Sequence, residues 1–231
     1  MNLKRFFLFS FILTNSLLFS CKDESSKTVS EEEAVEVITN SVAAKTGGAE
    51  QQTANIADIW ATLGNYCNTT FDTSLVKNIA LTNLTANYTL DYDYTITCNI
   101  LGLPTAANLN AATSGTYNTT RISSNDSTTS AYTLSDLLNL TQYTLNGTST
   151  RTGSQVSSIG NNASFSSVVS TTFSDVKINL TTGIIDSGTA TVSISGTTTD
   201  GENYNYTGSM VFLGNQTATL TLNGNTHNLT W

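Results

Sequence analysis

The chain has 231 residues, 17 of them acidic and 9 basic, with a formal charge of −8 and only 11% charged residues. A chain this acidic is repelled by phosphate backbones and carries no basic patch, so nucleic acid is not an expected partner. There is one histidine, and the three cysteines are expected to be spent on a lipid anchor and a disulfide pair, which excludes the usual zinc sets; no cofactor motif is present, so neither metal nor cofactor is expected.

The N-terminus comes first in chain order. Lys4 and Arg5 precede an apolar stretch from Phe6 to Phe19, broken only by Ser10, Thr14, Asn15 and Ser16. That run falls short of the roughly 20 residues a membrane-spanning helix needs. Charge, a short apolar core and a small residue at Ser20 describe a cleaved leader. Leu18-Phe19-Ser20-Cys21 has the form of a bacterial lipobox. Residues 1–20 are therefore expected to be removed, leaving Cys21 as the lipidated first residue. Lys4 and Arg5 leave with the leader, so 7 basic residues remain against 17 acidic, a net charge of −10. Residues 21–29 read as a polar tether. Within it, Cys21-Lys22-Asp23-Glu24 resembles the export signal of flavobacterial-type surface lipoproteins. The resemblance implies an outer-membrane protein exposed at the cell surface, with the membrane as its partner through Cys21.

Residues 30–66 carry helical patterning. Ser30 before Glu31-Glu32-Glu33 makes a capping box with Glu33, and three acids suit the positive end of the helix dipole. Val35, Ile38 and Val42 recur at helical spacing, and Gly47-Gly48 ends that helix. A second stripe of Ile56, Ile59, Trp60 and Leu63 ends near Gly64.

From about Leu75 the period changes to two, and residues 67–231 read as one antiparallel β domain. Tyr88, Leu90, Tyr92, Tyr94, Ile96, Cys98 and Ile100 share one face, with Thr89, Asp91, Asp93, Thr95 and Thr97 on the other. In the middle, strand candidates are Thr116–Ile122, Ala131–Leu134, Gln142–Arg151, Ser164–Phe173 and Val176–Leu180. Asn125-Asp126, Asn161-Asn162 and Thr182-Gly183 are predicted turns. The last third alternates clearly: Ala190, Val192 and Ile194; then Tyr204, Tyr206, Met210 and Phe212; then Ala218, Leu220 and Leu222; then His227, Leu229 and Trp231. Asp200-Gly201, Gly214-Asn215 and Asn223-Gly224-Asn225 punctuate these runs as hairpin turns. The expected fold is mainly β with a short N-terminal helical segment. It is an antiparallel meander of about nine or ten strands curled into a half-barrel or barrel, with a two-sheet sandwich as the alternative.

Several stretches are similar to a group of flavobacterial-type lipoproteins: Asn146 to Ser154, Ser187 to Val192, Tyr206-Thr207-Gly208, Phe212 to Asn215 and the Leu229-Thr230-Trp231 terminus. No activity is attached to that group, so the resemblance implies attachment to a membrane and no catalytic residue.

Candidate chemistry is sparse. If Cys21 takes lipid, Cys67 and Cys98 are left as a pair in an oxidising compartment, where a disulfide is the natural outcome. The lone His227 lacks a nucleophile elbow such as Gly-x-Ser-x-Gly and reads as a strand-end residue. Asp91 and Asp93, or others among Asp136, Asp175 and Asp186, could form the acid pair of a glycan hydrolase, the rival to a non-enzymatic binding or assembly module. Arg121 and Arg151 stand out in a domain short of cations. They are either structural ion-pair partners or the rim of a site for a glycan or other small ligand. Tyr92, Tyr94, Tyr204 and Tyr206 would line its concave face. Asp126-Ser127-Thr128 resembles the O-glycosylation site of flavobacterial-type exported proteins, with Ser127 in an expected polar loop.

Overall fold

The computed structural model describes residues 27–54, 67–139 and 141–231. The leader, Cys21 and the stripe of Ile56, Ile59, Trp60 and Leu63 lie outside the described residues. One helix, α1 (Glu31–Val42), is followed by a 3-10 turn at Ala44–Thr46 and by helical residues 49–54. Ten strands follow: β1 (Thr70–Leu81), β2 (Leu84–Cys98), β3 (Pro104–Thr119), β4 (Ile122–Ser135), β5 (Gln142–Ser157), β6 (Ser164–Asn179), β7 (Ile185–Thr198), β8 (Asn203–Gly214), β9 (Thr217–Leu222) and β10 (Asn225–Thr230).

All ten belong to one antiparallel sheet whose spatial order is the sequence order. Each strand pairs with the next through a short turn, the topology that alternating runs joined by tight turns favour. β1 and β10 are the two edges and do not pair with each other. The sheet therefore curls without closing, and no second sheet forms a sandwich. Irregularities sharpen the curl. Register shifts at Leu145/Gly147 in β5 and around Asp175 in β6 bend those strands, and Asp175 takes a left-handed φ of 52°.

The concave face holds the core. Leu90, Leu109, Ile122, Leu134, Leu145, Ile194, Met210 and Leu220 are fully buried there. Burying each large aliphatic side chain contributes about 1.5–3 kcal/mol. In a barrel left open along one seam, that face would stay wet unless something filled it. The N-terminal segment does so: Ala34, Val37, Ile38 and Val42 of α1 belong to the same apolar cluster as the inward strand residues. The predicted capping box is present. Glu33 N donates to Ser30 Oγ at 3.3 Å, and Ser30 N donates to the Glu33 carboxylate at 2.7 Å.

Several expectations need correction. The first helix ends at Val42, capped at Ala43, ahead of Gly47-Gly48. Ser164–Phe173 and Val176–Leu180 are one strand, β6, that bends at its bulge around Asp175 without ending there. β1 begins at Thr70, five residues before Leu75. Thr116–Ile122 is not one strand: β3 stops at Thr119, whose hydroxyl accepts from Arg121 N (3.1 Å) and Ile122 N (3.0 Å) to stabilise a turn. Asn125-Asp126 is not a turn but the interior of β4, with Asn125 paired to Thr116 and Ser154. Ser127 consequently sits on a strand and not in a loop. Finally, Ile100 does not continue the inward face of β2. It lies in the β2–β3 loop and is fully exposed, because the strand ends at Cys98.

Candidate functional site

Arg151 lies at the centre of the concave face and is only 4% exposed. Strand parity on β5 aims it inward, and it joins the sheet to the N-terminal segment. Its guanidinium pairs with Asp126 of β4 at 2.9 Å. It also donates to the backbone carbonyls of Asn40 (2.7 Å) and Thr46 (3.0 Å), which α1 and the 3-10 turn present. The planar fork suits this job, because one group reaches a carboxylate and two carbonyls at once. The ring of Tyr117 lies 5.1 Å from the guanidinium carbon, a cation–π distance. Ser124 donates to Asp126 at 2.8 Å and accepts from Gln155 at 3.1 Å. Burial raises the phenol pKa of Tyr117, partly offset by the positive charge of Arg151.

The rest of the N-terminal segment is held by polar contacts at both rims. At one rim, Asn161 donates to Thr28 O (2.7 Å) and Tyr206 to Val29 O (2.8 Å). Glu31 meets His227 at 2.5 Å and Asn225 at 2.9 Å, and these hydrogen bonds lower its pKa. Arg121 bridges Glu36 (2.7 Å) and Glu32 (2.8 Å). Gly160 completes this rim: a Cβ there would fall 2.1 Å from Ser30 Oγ, and its φ of 53° disfavours any side chain. Toward the other rim, buried Glu50 accepts from Gln216 (3.0 Å) and from the indole of Trp231 (2.9 Å). Gln52, also buried, accepts from Ser130 (2.8 Å) and Tyr132 (3.0 Å) and donates to Thr113 (3.2 Å).

The four candidate tyrosines do face inward, but they belong to the packed interior. Tyr92, Tyr94 and Tyr204 are buried and Tyr206 is half-buried. Tyr94 stacks on Phe71 with centroids 5.1 Å apart, and burial pushes its pKa up to about 12. Tyr204 donates to Ser166 O at 2.7 Å. Arg121 sits at the exposed β3–β4 turn, away from Arg151. Cys67 and Cys98 form a disulfide with Cα atoms 5.4 Å apart, tying the start of β1 to the end of β2.

Asp91 and Asp93 face outward on β2. Asp93 lies opposite Asp72 of β1 and accepts from Asn110 at 2.9 Å. Asp136 lies beyond the end of β4, pairs with Lys177 at 3.3 Å and also accepts from Thr144; those partners lower its pKa. Asp175 sits at the β6 bulge, and Asp186 accepts from Asn179 at 3.2 Å. Among the described residues no three or more His, Cys, Asp or Glu groups gather as a metal set.

The outward face has a different chemistry. Registered rows of uncharged side chains run across the strands, for example Asn110, Ala131, Thr148, Thr172, Thr191 and Ser209. A second row runs through Asn78, Asn87, Thr116, Asn125 and Ser154 along the floor of a groove of about 670 Å³. A neighbouring groove of about 700 Å³ carries Asp72, Asp91 and Asp93. Exposed Ser127 stands among these outer rows, paired to Ser114 and Thr152.

Sequence reasoning missed Asp126, Glu50 and Gln52. Asp126 was legible: it shares parity with Ile122, Tyr132 and Leu134, all buried, and only the turn reading of Asn125-Asp126 hid it. Glu50 and Gln52 gave no such signal. Compared with protein-family models, curated proteins and solved structures, the chain matches none of them.

Proposed function

We propose that this protein is a lipid-anchored module of the outer membrane, exposed at the cell surface, that binds a ligand or assembles with a partner without catalysing a reaction. The observation that carries this reading is the filled interior. The half-barrel's concave face is occupied by the chain's own N-terminal segment and locked on Arg151 and Asp126. The groups with most chemical capability are engaged in that docking: His227 with Glu31, and Arg121 with Glu32 and Glu36. Ligand contact then falls to the outer face. The chain at Thr28 and Val29 is gripped at one rim, so a tether running back to Cys21 would leave from that rim.

Replacing Cys21 by Ser tests the anchor. The variant should appear in the soluble fraction or accumulate as uncleaved precursor. Normal processing with retention in membranes would overturn the anchor. Protease shaving of intact cells should remove the wild-type protein if it faces outward.

A hydrolase with an Asp pair has one observation in its favour, the groove beside Asp72, Asp91 and Asp93. Among the described residues, its single aromatic lining residue is Tyr92, which points inward and is only 8% exposed, where such a cleft uses open aromatic walls. Release of reducing ends from polysaccharide that is abolished by Asp91→Asn or Asp93→Asn would favour the hydrolase over the binding module.

A further inference from the structure

The outer groove along Asn78, Asn87, Thr116, Asn125 and Ser154 differs from an ordinary protein surface. Its lining holds no charged side chain, in a chain of net charge −8 whose neighbouring groove carries three carboxylates. Charged residues are only 11% of this chain, and here that neutrality coincides with a concavity. The groove offers instead a row of amides and hydroxyls. Each Asn side chain presents a donor and an acceptor together, and each Thr or Ser hydroxyl does the same with one group. A sugar hydroxyl has the same dual character. A phosphate, a carboxylate or a cation does not, and would find no counter-charge here.

The spacing adds a second constraint. The row crosses five adjacent strands in register, so one polar side chain stands at each strand step of about 4.7–4.9 Å. That step is close to the length of one sugar ring in an extended polymer. A chain lying across the strands would meet a donor–acceptor group at every ring. Val156, 55% exposed on β5, gives the groove an apolar spot for the C–H face of a ring. The row's backbone is held by the paired strands, so the spacing between its side chains is set before any ligand arrives.

We propose that this groove binds a neutral polysaccharide chain laid across β1 to β5. The inference rests on the binding-module reading and names its ligand class.

The test is affinity electrophoresis of the purified exported protein in gels containing a neutral β-glucan, a mannan, a galactan or dextran, with polygalacturonate as the acidic control. At least one neutral polymer should retard the protein, and polygalacturonate should not. A triple variant, Asn87→Ala with Thr116→Ala and Asn125→Ala, should bind at least tenfold more weakly. Thr191→Ala, on the same face but outside the groove, should bind as wild type. If the triple variant fails to fold, Thr116→Val alone removes one hydroxyl while keeping strand propensity and shape, and should weaken binding about threefold or more. No retardation by any neutral polymer overturns the inference, as does preference for the acidic polymer or unchanged binding by a folded groove variant. If no polymer binds while Cys21→Ser still releases the protein and shaving still removes it, only the ligand assignment falls.

Discussion

Replacing Arg151 by Ala should be among the most damaging single changes in the described structure. The substitution strands Asp126, whose carboxylate side chain is only 6% exposed, without a counter-charge. It also leaves the Asn40 and Thr46 carbonyls without their donors. Breaking a buried ion pair from one side typically costs about 3–5 kcal/mol, because the remaining charge is left desolvated. Proteins of this size are stable by only about 5–15 kcal/mol, and each kcal/mol moves the midpoint by about 2–4 °C. A drop of about 6–20 °C in melting temperature is therefore expected, read by circular dichroism and by urea titration. Arg151→Lys keeps the charge but loses the fork, and should fall between the two. The double variant Arg151→Met with Asp126→Asn removes both charges and should cost clearly less than the sum of its single changes, a coupling characteristic of direct contact. Hydrogen exchange should accelerate first in α1, since Arg151 is what ties α1 to β5. A single Arg151→Ala variant within about 1 kcal/mol of wild type, with α1 still protected, would refute the claim that this residue locks the segment in place.

Other outcomes follow from the same geometry. Cys98→Ser, or reduction of the Cys67–Cys98 bond, should lower stability by about 3–4 kcal/mol in the chain-entropy model of a loop of this length, measured as a shift in urea midpoint. Glu33 is buried, which alone would raise its pKa, but hydrogen bonds from Ala163 N and from Ser30 hold it below its ordinary value. A lowered carboxylate stabilises above its unfolded pKa and loses that contribution as pH falls through the folded value. With Glu31 and Asp136 also lowered, stability should decline below about pH 4, and Glu33→Gln should flatten that decline. The tyrosines act at the other end. Burial pushes Tyr88, Tyr94 and Tyr132 up to about 12, so their contribution is whole below pH 10 and is lost as pH rises toward 12. Ultraviolet titration should show these phenols ionising only with unfolding. Intact-mass spectrometry of the exported protein reads Ser127 directly: an added hexose series lost in Ser127→Ala would establish glycosylation, and an unmodified mass would exclude it.

Much of the sheet is legible from period and punctuation. Ala190, Val192 and Ile194 alternate with polar residues, Asp200-Gly201 closes the β7–β8 hairpin, and Asn223 and Gly224 take the positive φ values of 46° and 93° that their turn demands. Where local rules failed, neighbouring strands decided. Asn125-Asp126 carries turn chemistry, yet pairing with Thr116 and Ser154 on either side keeps β4 extended through it. The converse holds at Thr119, where a side-chain hydroxyl capping the backbone ends a run that composition alone reads as continuous strand. Inward parity identified the tyrosines of the concave face. It could not say whether that face is a binding site or packed core, because the answer depends on whether α1 enters the half-barrel. That is a tertiary fact carried by residues far apart in sequence.

The distribution of charge connects fold to function. In a chain with so few charged groups, many of those described fasten the N-terminal segment to the sheet: Glu31 to His227, Glu32 and Glu36 to Arg121, Glu33 to the backbone at Ala163, and Glu50 to Trp231. Each pairs a group near the N-terminus with a partner at least 85 residues later. An apolar helix could fill the concave face by packing alone, but packing is non-directional and would tolerate sliding. Directional pairs at both rims, with Arg151 between them, fix the segment in one position. These contacts spread the attachment over β4, β5, the β5–β6 connection, β8 and β10. An open half-barrel that binds inside would need this segment to move out, against all of these contacts together. The outer face needs no such movement, and its uncharged rows are already displayed, which is the physical ground for proposing ligand recognition on that side of the sheet.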